Sequence, residues 1–118
     1  MTYIKINKTL YPATINGRVA DKDWDNRESK AITLKMDYET ASKLFVDGLA
    51  WSVAQEHQAA TYDENGEQNG YKTVMEEYDN SDYDVAGSIT DNRNGTVTVK
   101  MGKITDSEAL AELMEVLA

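Results

Sequence analysis

Residues 82–102, DYDVAGSITDNRNGTVTVKMG, constrain the fold more than any other stretch, because they specify an antiparallel hairpin together with its register. Asn92-Arg93-Asn94-Gly95 fits a type I turn closed by a glycine bulge: Asn94 suits the second central position, and Gly95 can take the positive φ that the bulge needs. Asn92 then faces Thr96, which sets Ile89 opposite Val99, Thr90 opposite Thr98 and Gly87 opposite Met101. Ile89, Val97, Val99 and Met101 share one face; Thr90, Thr98 and Lys100 share the other. A two-residue turn at Asn94-Gly95 would put Ile89 against Lys100 and split the apolar set, so the three-residue loop is the expected one. The hairpin says how the domain is built and carries no chemistry of its own.

The segments before it follow the same logic. Residues 3–6 alternate, and Asn7-Lys8 supplies a two-residue turn into residues 9–15, with Ile4 facing Tyr11 and Ile6 facing Thr9. Pro12 cannot donate to a ladder, so this second strand is an edge or is bulged there. Asn16-Gly17 reads as a break. Residues 19–29 read as a loop or short helical turn held over the body by Trp24, and residues 31–36 as a strand with Ile32, Leu34 and Met36 inward. Asp37 is a good N-cap for a helix whose apolar side carries Tyr38, Ala41, Leu44 and Phe45, with Gly48 as its stop. Leu49, Trp51 and Val53 alternate as the inward side of a further strand.

Beyond Val53 the strand turns polar. Asp63-Glu64-Asn65-Gly66 and Asn69-Gly70 are two candidate turns, and the pattern leaves open which one closes the hairpin that returns through residues 71–77. So polar a hairpin is expected to protrude past the core as an arm. At the C-terminal end Thr105 and Glu108 spell a capping box, and Leu110, Leu113, Met114 and Leu117 fall on one helical face. The expected fold is α+β: an antiparallel sheet of six to seven strands built from hairpins, two amphipathic helices packed on one face, and one protruding hairpin arm. At 118 residues a single domain over 1–118 is expected.

Charge narrows the partners. The net charge is −9, and residues 56–91 hold ten acids against one base, Lys72, whereas acids and bases balance in the remainder. One end of the molecule is therefore expected to be an acidic pole. Phosphate backbones and anionic lipid both need the opposite sign, so no nucleic-acid and no membrane partner is expected. The absence of cysteine excludes disulfides, thiolate metal sites and a cysteine nucleophile. No segment reaches the roughly 20 apolar residues of a membrane span and the start lacks an apolar leader core, so a soluble protein is expected.

Constellations with chemical potential are few. Asp21, Asp23 and Asp25 have the alternation of a calcium loop, but Asn26 stands where that loop needs glycine and Ile32 where it needs glutamate. His57, the sole histidine, has no accompanying nucleophile motif. Paired acids such as Glu76-Glu77 point to opposite faces of a strand. No phosphate-cradling glycine loop is present. No catalytic, cofactor-binding or metal residue is assigned, no cofactor is expected, and the chain is read as not an enzyme. The exception to a silent surface is the tip of the arm, where Tyr62, Asp63, Glu64 and Tyr71 form a candidate partner contact, since exposed aromatics flanked by charge favour protein contacts.

Residues 20–34 (ADKDWDNRESKAITL) and 89–103 (ITDNRNGTVTVKMGK), with Tyr11-Pro12-Ala13 and the LAWS at 49–52, resemble small uncharacterised proteins encoded in prophages of gut bacteria, near the tail and morphogenesis genes. The resemblance implies a tail-associated virion structural or assembly role through protein–protein contacts, with self-assembly or other tail proteins as partners. It implies a cytoplasmic location during assembly and the virion if incorporated. The alternative is a soluble prophage accessory or inhibitor protein whose acidic pole binds a basic host protein.

Overall fold

A computed structural model describes residues 1–117, with side chains through residue 115. The Asn7-Lys8 turn has positive φ at both positions, 49° and 71°, as a type I′ hairpin requires, and joins β1 (Thr2–Ile6) to β2 (Thr9–Asp21) in the expected register, Ile4 opposite Tyr11 and Ile6 opposite Thr9. After a 3-10 turn at Lys22–Trp24 come β3 (Arg27–Lys35), α1 (Tyr38–Leu44), β4 (Ser52–Tyr62), β5 (Gln68–Asp79), β6 (Val85–Asp91), β7 (Thr96–Gly102) and α2 (Asp106–Leu117). Seven strands form one antiparallel sheet in the order β5-β4-β1-β2-β3-β7-β6.

β2 holds the two halves of this sheet together. Its residues 9–12 pair with β1, and from Ala13 onward it pairs with β3 instead. Pro12 stands at the changeover, where one side of the strand has no neighbour to receive its missing N–H. Asn16-Gly17 does not break the strand as expected. Gly17 pairs with Lys30 and β2 runs on to Asp21, because β3 starts at Arg27, earlier than its apolar alternation suggests, and supplies a partner.

The sheet is strongly coiled. Six strand spacings at about 4.8 Å would separate β5 and β6 by about 29 Å in a flat sheet, whereas the connection through residues 80–84 can span only about 20 Å. These residues cross the concave side: Asn80 donates its N–H to the Trp51 carbonyl at 2.9 Å, and Trp51 Nε1 donates to the Tyr83 carbonyl at 2.9 Å. The core lies on that side. Ile15, Ile32, Val99 and Ile89 are register neighbours across β2, β3, β7 and β6, and Ile4 stands between Tyr11 and Val53. α1, capped by Asp37 accepting the Thr40 N–H at 2.6 Å, adds Ala41, with Phe45 following it. The helix ends at Leu44, short of the expected stop. Gly48, at φ 84°, lies in the next turn and donates to the Asp84 carbonyl. The convex side carries a polar row, Thr14, Thr33, Thr98 and Thr90.

The hairpin of β6 and β7 keeps the expected pairs Ile89–Val99 and Thr90–Thr98, but two local details differ. Arg93 takes φ 58°, so the loop is not the type I turn; Asp91 Oδ1 accepting the Arg93 N–H at 2.9 Å holds it. Ala86 rather than Gly87 faces Met101, the strand bulging at Gly87-Ser88 beneath Trp24.

The two helices are placed differently. α1 packs against β6 and β7. In α2 the capping box forms as expected, with the Thr105 N–H donating to Glu108 at 2.9 Å and the Glu108 N–H donating to Thr105 at 3.2 Å. Its apolar side, however, faces solvent: Leu110, Leu113 and Met114 are 57, 56 and 63% exposed, and the side chain of Leu117 lies outside the described residues. Arg27 grips Glu108 on the convex side, opposite α1, so the first turn of α2 is held away from the core. The radius of gyration is 18.3 Å, against about 13.5 Å for a compact chain of this length, and the longest extent is 66 Å. No helix among the described residues is long and apolar enough to cross a membrane.

Candidate functional site

β1 starts opposite Gln55, and past the Glu56 N–H, which donates to the Met1 carbonyl at 3.0 Å, β4 and β5 pair only with each other. This two-stranded ribbon is where the sequence places its candidate contact. Asp63 builds the tip: its carboxylate accepts the N–H groups of Asn65 and Glu67 at 2.9 and 3.0 Å, while its own N–H donates to the Glu67 carbonyl at 2.8 Å. Of the two candidate turns the first is used, with Gly66 at φ 80°. Gly70 lies within β5 opposite Thr61, beside an irregularity in the register.

The four expected contact residues thus separate into roles. Tyr62 and Tyr71 are 64 and 68% exposed, and the pleat puts them on one side, Tyr71 opposite Ala60 and Tyr62 two residues further along β4. Glu64 is exposed at the tip, and Asp63 is committed to the turn. Sequence reasoning missed Met75, four residues from Tyr71 and therefore on the same side, 42% exposed. Period-two counting from Tyr71 would have found it.

The charge distribution corrects the expected acidic pole. Glu56, Asp63, Glu64, Glu67, Glu76, Glu77 and Asp79 belong to β4, β5 and their turn, where Lys72 is the one base. The acids from Asp82 to Asp91 instead follow the chain across the concave side to the opposite edge. There Lys103 pairs with Glu28 at 3.0 Å and Asp82 at 3.1 Å, bonds that raise its pKa, and Tyr83 donates its hydroxyl to Glu28 and holds that carboxyl below its ordinary value.

A cleft of about 1170 Å³ opens where β2 leaves β1 for β3, with Tyr11, Ala13, Ile15, Val53 and Tyr78 in its walls. Two of its polar groups, Lys30 and Asn80, are already engaged. Lys30 donates to the Asn80 side chain and lies 4.5 Å from the centre of the Tyr83 ring. His57 has Glu76, 3.3 Å away, as its one polar side-chain contact among the described residues, and Tyr78 donates to the same carboxylate, which raises the tyrosine pKa.

Asp21, first residue of the calcium-like triplet, is fully buried. It accepts from Lys100 at 2.8 Å, the Asp23 N–H at 3.1 Å and Ser29 at 3.3 Å, and the Lys100 bond chiefly holds its carboxyl below its ordinary value. Among the described residues no group of three or more His, Cys, Asp or Glu is placed to hold a metal ion. No family model matches the chain, and no curated protein or solved structure shows significant similarity to it.

Proposed function

We propose that the protein is a structural or assembly subunit of a phage particle, tail-associated, working through protein–protein contacts with copies of itself or with other tail proteins. The observation that supports this most is the ribbon of β4 and β5: it continues past the end of β1 as an arm, exposes Tyr62, Tyr71 and Met75 on one side, and leaves β5 as an uncovered edge. Such edges add strands from a neighbouring chain, and exposed tyrosines supply contact area at low entropic cost. The resemblance of residues 20–34 and 89–103 to prophage proteins supplies the phage context. Replacing residues 62–71 by a short turn should leave a folded monomer that no longer assembles, measured by circular dichroism and by light scattering coupled to gel filtration. Intact assembly of that variant would reject the reading.

A second reading is favoured by the charge of the same ribbon. An accessory protein could present these acids to a basic host surface, and its sign would be tight binding of one basic protein that weakens steeply with salt.

A further inference from the structure

β5 is the outermost strand of its half of the sheet and twelve residues long, so a row of its backbone N–H and C=O groups faces outward along an exposed edge. We infer that this edge pairs antiparallel with the β5 edge of a second copy, about a two-fold axis through Val74. The inference rests on the assembly reading above and names one of its contacts.

The backbone narrows the register first. Residues along β5 alternate between turning their hydrogen-bonding groups to β4 and turning them outward, so only one parity bonds across the edge. Two copies related by a two-fold axis therefore pair even positions with even and odd with odd, and the axis passes through a residue. Charge then selects among these axes. Lys72, the one base in β5, forms no ion pair among the described residues. Of the acids Glu76, Glu77 and Asp79, only Glu76 shares its parity. Setting Lys72 against Glu76 of the second copy puts the axis at Val74, and symmetry makes the pair twice. Residues 69–79 of the two copies then overlap, with Tyr71 facing Glu77 and Thr73 facing Met75. An axis at Glu76 would oppose two carboxylates, and one at Lys72 two ammonium groups, each unfavourable.

The chain has no cysteine, so Val74→Cys provides a single thiol at the axis, where the two Cα atoms would be about 5 Å apart and within disulfide reach. Tyr71→Cys is the register control, its two thiols falling about 20 Å apart. Under mild oxidation the first variant should give a covalent dimer and the second should stay unlinked. A protein that assembles by light scattering while Val74→Cys stays unlinked, or while both variants link equally, overturns this register and leaves the assembly reading intact. A wild-type protein that stays monomeric at all concentrations overturns the self-pairing, and the ribbon replacement, tested with added tail proteins, then decides the assembly reading separately. Lys72→Glu and Glu76→Lys should each weaken the dimer on the order of tenfold, and the double variant should return to within about threefold of wild type. Failure of the double variant to recover, with circular dichroism unchanged, overturns the ion pairing that selects Val74.

Discussion

Trp24 occupies the space that a side chain at Gly102 would need. A Cβ there would lie 2.8 Å from the indole Cζ3 and closer still to Cδ of Arg27, and one at Gly87 would lie 2.7 Å from the indole Cη2. The two glycines are thus the floor on which the indole rests, with the Arg27 guanidinium 4.7 Å from the ring centre on top. Gly102→Ala and Gly87→Ala should each cost about 1–3 kcal/mol by overpacking against a rigid ring. Gly17→Ala, with open space around it, should stay within about 0.5 kcal/mol. Urea denaturation of the three variants measures the contrast.

The same cluster makes the anchoring of α2 sensitive to acid. Arg27 donates to both carboxylate oxygens of Glu108, at 2.6 and 3.1 Å, and holds the carboxyl at about 2, below its ordinary 4.5. The folded value is depressed, so the contribution is complete above pH 4.5 and fades as the pH falls towards 2. Asp21, lowered chiefly by Lys100, acts in the same direction below its ordinary 3.8. The difference in tryptophan fluorescence between the protein and its Trp24→Phe variant, followed from pH 6 to pH 2, should report loss of the contact in that window, and Glu108→Gln should remove the part of the transition that belongs to α2.

Truncation should separate the core from the exposed helix. Ile32 is fully buried between Ile15 and Val99, and Ile32→Ala should cost about 2–5 kcal/mol. Leu113→Ala in isolated protein should cost less than about 0.5 kcal/mol, because more than half of that side chain is already in water. A cost for Leu113→Ala comparable with that for Ile32→Ala would mean that the apolar side of α2 is covered in solution.

Local chemistry carried much of this architecture. Asn7-Lys8 and the loop around Gly95 set two registers, and Ile4, Ile32, Leu34, Trp51, Val53, Val97, Val99 and Met101 followed from alternation alone. What was not legible depends on contacts between distant segments. The extension of β2 past Gly17 requires β3 to begin at Arg27, and nothing near Asn16 signals that. The Gly87 bulge requires Trp24, more than sixty residues earlier. Periodicity identifies the apolar side of α2 and is silent about what that side meets, because the grip of Arg27 on Glu108 spans 81 positions. At the ribbon the exposed tyrosines were legible, whereas the choice of turn depended on Asp63 folding its carboxylate onto the backbone.

The crossing through residues 80–84 works as a hoop. It ties the first edge of the sheet to the last, with Asn80 buried and received by Trp51 and Lys30 along the way. A single backbone cut there would remove no strand and break no ladder. It would nonetheless leave the curl to the buried cluster alone, Ile4, Ile32, Phe45 and Trp51 among it, so the nicked molecule should stay closed while its two edges part more readily. In this molecule a short tether and a shared core set one and the same curvature.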